Sequence, residues 1–266
     1  MQELTTQIES QLSDDKHNLV PLAPHWARGP LTPTLGENET HIWKIDLRCE
    51  STGEMNASLS PDEHDRAARF HFERDRQRFR IARASLRMIL SRYLNLAPED
   101  LVFATTEYGK PFLTNPQAAG LIFNLSHSQD FALLAVTRER EVGIDIEFMR
   151  SDFATSDVAE HFFSVAEVYT FSGLDPDLRT LAFFNCWTRK EAYIKARGEG
   201  LSMPLDSFDV SLTPGLPVAL LQNRLDPADV SRWSLHELSP APSYAAAIAV
   251  ERCDGAVSFQ HFVLAE

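Results

Sequence analysis

The sequence predicts an α/β (α+β) protein made of two similar halves. Three observations predict it: short alternating strands rich in β-branched residues, two long helical stretches, and one order of elements that occurs twice. That order is strand, short helix, long helix, strands, over 41–137 and again over 142–263. No residue-level repeat accompanies it, so the repetition is one of architecture. We divide the chain into an N-terminal extension containing prolines (1–40), an arginine-rich N-terminal half (41–140) and a C-terminal half (141–266) with the candidate metal and catalytic residues.

At 266 residues the chain can bury a good-sized core, and 44% apolar with 24% charged residues is ordinary for a soluble globular protein. Cys49, Cys186 and Cys253 are odd in number, scattered and outside any Cys-x-x-Cys arrangement. That pattern points to a reducing cytoplasm and against a disulfide framework or zinc knuckle. No apolar run suits a signal peptide or a membrane span. In the extension, Gln7–Leu12 could form a weak helical turn or two, with disorder as the competing reading. Pro21, Pro24, Pro30 and Pro33 then impose an extended path, and Trp26 and the leucines are candidates to pin it to the body.

His41–Leu47 alternates as a first strand. Ser60-Pro-Asp-Glu63 reads as a helix start, with Ser60 as N-cap, Pro61 at the first position and Glu63 closing a capping box. From Arg66 to Arg92 nine arginines stand against Glu73 and Asp75, a formal +7 in a chain of net charge −13. Guanidinium forks suit phosphate oxygens, and such a concentration steers anions. A chain of pI about 5.1 is a poor fit to nucleic-acid binding. A share of these arginines is the solvated face of a helix whose other face carries Phe79, Ile81, Leu86, Ile89, Leu90 and Tyr93. Glu107-Tyr-Gly-Lys-Pro111 is a turn with Lys110 at its tip, and Ile122–His127 and Phe131–Val136 are strands.

Val142–Phe148 is a strand that puts Asp145 and Glu147 on one face and Ile144, Ile146 and Phe148 on the other. Helices over Val158–Phe163 and Ala166–Phe171 follow, the second capped by Ser164 with Glu167 at the capping-box position. Asp175-Pro-Asp177 opens a long helix that glycines 198 and 200 end, and strands recur near 209–212, 233–238, 244–250 and 257–263. On the long helix Trp187, Glu191 and Lys195 are four apart and share a stripe. Taken alone, Glu191 and Lys195 read as a surface pair, and Asp145 and Glu147 as an acidic solvent-facing strand. Taken together, the three carboxylates make a candidate oxygen-only site that suits Mg²⁺.

Gly143-Ile-Asp-Ile-Glu147, followed about forty positions later by Trp187-Thr-Arg-Lys-Glu-Ala-Tyr-Ile-Lys195, resembles the two signature motifs of the Sfp-type phosphopantetheinyl transferases. These enzymes move the phosphopantetheine arm of coenzyme A onto a serine of a carrier protein. The resemblance covers roughly 41–250 and includes Gly200-Leu-Ser-Met-Pro-Leu-Asp-Ser-Phe208. Ser60–Phe70 and Arg76-Gln-Arg78 look like the family's coenzyme A-gripping helices, which makes Arg66 and Arg78 nucleotide-phosphate contacts. Glu63 stands where a close member of the family has a lysine. The resemblance also implies a nucleotide or phosphate contact for Lys110, and contacts from Ser126 and His127 to the 3′-phosphate.

It implies, further, a monomer folded as a pseudo-dimer of two α/β halves with coenzyme A in the cleft between them. Mg²⁺ on Asp145, Glu147 and Glu191 would bind the pyrophosphate, and Glu191 would take the serine proton. Lys195 and Lys190 would offset phosphate charge, and 3′,5′-ADP would leave. The partners implied are coenzyme A and an apo carrier protein of acyl, peptidyl or polyketide type. The carrier would dock on outward arginines of 66–92 and on apolar residues such as Phe162 and Phe163. Two rivals remain: a Mg²⁺-dependent nucleotide or coenzyme A hydrolase, and a non-catalytic coenzyme A- or nucleic-acid-binding protein.

Overall fold

Two sheets, packed face to face and each backed by a long helix, carry the chain in a computed structural model that describes residues 26–264. The turn expected at Gln7–Leu12, and Pro21 and Pro24, lie outside the described residues. In chain order the first part contains β1 (Ala27–Arg28), β2 (Glu39–Asp46), α1 (Gly53–Ser58), α2 (Pro61–Ala68) and α3 (Glu73–Leu94). It continues with β3 (Phe103–Thr105), β4 (Pro111–Leu113), β5 (Leu121–Ser128) and β6 (Phe131–Arg138). Next come β7 (Val142–Phe148), α4 (Ser156–Phe162), α5 (Val165–Ser172) and α6 (Pro176–Arg197). The last elements are β8 (Phe208–Val210), β9 (Leu220–Asn223), α7 (Asp229–Arg232), β10 (Trp233–Leu238), β11 (Tyr244–Glu251) and β12 (Ser258–Val263).

Local chemistry sets the helix ends. Ser60 and Ser164 each accept from the backbone N–H of a glutamate three residues on, and Glu63 and Glu167 return the bond, so both capping boxes form. Pro176 opens α6, and Gly198 closes it in the left-handed region at φ 76°. In the extension, Trp26 meets His261 edge-on with the Lys44 ammonium over its ring, and Leu35 is buried.

The sheets are β1–β12–β2–β6–β5 and β10–β11–β7. Helix α3 covers the outer face of the first through Ile81, Leu86 and Leu90 against Trp43, Phe123 and Leu134. Helix α6 covers the second through Phe183 and Tyr193, with Phe208 and Trp233 in the same cluster. A third apolar layer, Ile42 and Leu133 with Ile144, Ile146 and Ile248, lies between the sheets.

Two features depart from the expected plan. Chain order puts β12 with the second half, yet it lies within the first sheet, pairing in parallel with β2 on one side and β1 on the other. The acid face of β7 is turned to α6 and not to solvent. A Cβ added at Gly143 would stand 2.1 Å from the Ala192 carbonyl oxygen and 2.3 Å from the Ala196 nitrogen. Only glycine therefore lets helix and strand meet this closely.

Candidate active site

The site forms where β5 and β7, the edge strands of the two sheets, run side by side. No backbone ladder joins them; polar side chains of β5 do. Strand parity splits β5: Phe123 and Leu125 belong to the layer under α3, whereas Ile122 belongs to the layer between the sheets. The even positions reach β7. Asn124 Oδ1 accepts from the Ile144 N–H at 2.8 Å, Ser126 Oγ donates to Asp145 Oδ1 at 2.8 Å, and Ser128 Oγ donates to Glu147 Oε2 at 2.8 Å.

Asp145 is 2% exposed. Its Oδ1 also accepts from Lys195 Nζ at 2.6 Å, while its buried Oδ2 has no hydrogen-bond partner. Burial opposes the Lys195 charge, but Asp145 in contact and Glu191 and Glu147 beyond it keep the ammonium's pKa above its ordinary value. Burial, with Asp145 and Glu191 as like charges, pushes the Glu147 carboxyl up to about 7. Burial raises Glu191 too, with Asp145 adding to the shift and Lys195 opposing it. The stripe holds: Lys195 meets Asp145, and Trp187 lines a hollow of about 220 Å³ with Glu147, Ser128 and Phe153. Among the described residues no three metal-ligating side chains stand close enough to enclose an ion together.

Of the residues assigned to coenzyme A, Arg78 and His127 come together. They line a cavity of about 290 Å³ with Phe70, Arg74 and Gln129. Arg78 donates to Gln129 and is ion-paired with Asp130, on the turn between β5 and β6. Arg66 lies over the Phe79 ring and lines an open cavity of about 610 Å³ with Asp62, Arg69 and Phe70. Glu63, in the lysine's place, takes Arg83 and Arg87 instead. Burial works against its charge, yet the two guanidinium groups hold the carboxyl below its usual value.

Three of the residues expected at phosphate have partners inside the protein. Lys190 does not face the acids. One residue from Glu191 is about 100° round the helix, and Lys190 is fully buried, donating to the Leu205 and Phe208 carbonyls and paired with Glu167 at 2.8 Å. The Ser126 hydroxyl lies with the acids and not with His127, because neighbouring strand residues point to opposite faces. Lys110 spends its ammonium within the protein, on Glu141, the Val142 carbonyl and the Ala196 carbonyl at the end of α6. Ser128, Gln129 and Asp130 lie outside every motif read in the sequence. The first was legible in the period-two spacing Asn124, Ser126, Ser128.

Residues 141–249 match the family model of the 4′-phosphopantetheinyl transferase superfamily, and 49–139 match that of the 4′-phosphopantetheinyl transferase N-terminal region. The 4′-phosphopantetheinyl transferase HetI of Nostoc sp. is 38% identical over 240 residues, which is 89% of this chain and 98% of that one. The chain belongs to the 4′-phosphopantetheinyl transferase superfamily. The transferase is also 36% identical over 166 residues to 4′-phosphopantetheinyl transferase Sfp of Bacillus subtilis, covering 62% of this chain and 72% of that one. Among solved structures, Thermotoga maritima holo-[acyl-carrier-protein] synthase aligns with 42% of this chain and 62% of its own at 20% identity, with a TM-score of 0.33.

Proposed function

We propose that this transferase moves the phosphopantetheine arm of coenzyme A to an apo carrier protein in the cytoplasm, as a monomer, with Mg²⁺ held by Asp145, Glu147 and Glu191. Phosphopantetheinyl transfer is the activity of its family. The observation that carries the metal reading is the buried Asp145 oxygen without a partner, beside two carboxyls whose pKa values are raised. Oxygen donors of this kind suit a hard divalent cation, so the three carboxylates fit the group in their chemistry; because they do not enclose an ion by themselves, waters and substrate oxygens would complete its shell. When bound, Mg²⁺ would neutralise charge on the pyrophosphate of coenzyme A.

The chain's own residues supply the rest. Arg66, Arg78 and His127 bind the nucleotide phosphates from the cavities they line. Glu191 takes the proton of the carrier serine as its oxygen bonds to the phosphorus of the arm. The bond from that phosphorus to the bridging oxygen breaks, and 3′,5′-ADP leaves. The raised pKa of Glu191 makes it a stronger base than an ordinary glutamate. Lys195, held at the mouth of the acid pair, offsets charge on the transferring phosphoryl group. Lys110 ties the N-terminal half to the end of the catalytic helix.

Intact-mass analysis of apo carriers incubated with enzyme, coenzyme A and Mg²⁺ tests the reading. It expects a gain of one phosphopantetheine arm, lost with Asp145→Ala or Glu191→Ala in folded protein. Near wild-type transfer by either variant refutes the assignment. Release of 3′,5′-ADP without any carrier would favour the hydrolase instead.

A further inference from the structure

Ser128 has a hydroxyl with one proton and a fixed direction. The Phe148 backbone N–H donates to its Oγ at 3.0 Å, so the oxygen acts as acceptor there. Its single proton goes to Glu147 Oε2 at 2.8 Å. Two residues back Ser126 also donates to an acid, Asp145 Oδ1, while its Oγ accepts from Lys195 Nζ at 3.2 Å and not from the backbone of β7. The period of two in β5 matches the period of two in β7, so each acid has one oxygen tied by a serine. The other oxygen of Asp145 is buried and has no partner.

We infer that Ser128 is a positioning residue that holds Glu147 with Oε1 turned toward the cation it shares with Asp145. The inference rests on the metal reading above. A glutamate has three side-chain torsions, and ordering them on binding costs affinity; a hydroxyl that orders them beforehand returns it. It also favours the charged carboxylate, the form that ligates. Outer partners of this kind typically change metal affinity by about 10–100-fold.

The test is Mg²⁺ titration of the whole protein, followed by calorimetry and by thermal shift, with and without coenzyme A. Ser128→Ala should bind Mg²⁺ about tenfold more weakly. Ser128→Thr, which keeps the hydroxyl and suits a strand, should bind within about threefold of wild type. Ser128→Cys keeps the shape with a poor donor and should resemble Ser128→Ala; it also carries the test if the alanine variant does not fold. Wild-type Mg²⁺ affinity in a folded Ser128→Ala or Ser128→Cys, with only the melting temperature lowered, makes Ser128 a mere tie between strands and overturns the inference. So does a threonine variant as weak as alanine. Wild-type protein that binds no Mg²⁺ with or without coenzyme A sinks the metal reading as well, which distinguishes the two failures.

Discussion

Glu147 titrates in a range that matters. Its carboxyl is pushed up to about 7 by burial and by its acidic neighbours, from an ordinary 4.5. Between those values the folded protein holds a proton that the unfolded chain has released, so folding stability should fall as pH rises through that window. A melting curve of the metal-free enzyme at several pH values checks this, and Glu147→Gln should flatten the slope. Mg²⁺ competes with that proton, so its stabilising effect should be larger at pH 8 than at pH 6. The two lysines of the signature helix should behave in opposite ways. Lys190→Met leaves Glu167 buried without its cation and should cost about 3–5 kcal/mol of stability, while the folded fraction keeps its kcat. Lys195→Met should fold and lose activity. The separation of these lysines was legible in helical spacing, because Lys195 lies four residues from Glu191 and Lys190 one. The partners of Lys190, the Leu205 and Phe208 carbonyls, lie beyond the helix and no spacing rule reaches them.

At the scale of elements, the approach of α6 to β7 decides whether Glu191 and Lys195 meet Asp145. Gly143→Ala would drive a methyl group into the Ala192 carbonyl and the Ala196 nitrogen, so the helix must move. Overpacking of this kind costs about 1–3 kcal/mol. We expect a lower melting temperature and a larger loss of Mg²⁺ affinity than the stability change alone explains. Equal Mg²⁺ binding by the variant would show that the site tolerates the shift. Most elements were legible because their signals are local: both capping boxes, the proline that opens α6 and the glycine that ends it. The placement of β12 was not. Strand pairing between Ser258–Val263 and Glu39–Lys44 joins residues more than two hundred positions apart, and nothing in the β12 pattern says which sheet it enters. The join between β5 and β7 was half legible, in the alternation of polar residues, but its partner strand was not.

Across the whole molecule, charge and apolar surface must together admit two partners. The net charge of −13 repels an acidic carrier, which the resemblance to the family leads us to expect. The arginine-rich segment offsets this less than its formal +7 suggests. Glu63 takes Arg83 and Arg87, Asp130 takes Arg78, Glu73 takes Arg76, and Asp75 takes the exposed Arg74; Arg80 and Arg92 are half-buried, Arg92 donating to the Pro30 carbonyl, which leaves Arg66 and Arg69 outward. The phenylalanines expected to dock the carrier are also occupied: Phe163 is 4% exposed, and Phe162 packs edge-on against Trp187. Alanine at either would loosen the core and would not report on docking. The exposed apolar residues nearest them in the chain are Val165 at 89% and Tyr169 at 84%, one turn apart on α5. We predict that the carrier docks there, and that apolar contact outweighs rim charge. Tyr169→Ala should raise the carrier's KM by about tenfold, equivalent to about 1.4 kcal/mol, and leave the KM for coenzyme A unchanged. Moderate salt should weaken coenzyme A binding through its arginines while changing the carrier's KM less than about threefold. A carrier KM that climbs tenfold with salt, beside Val165→Ala and Tyr169→Ala variants that dock normally, would place the carrier on the arginines instead.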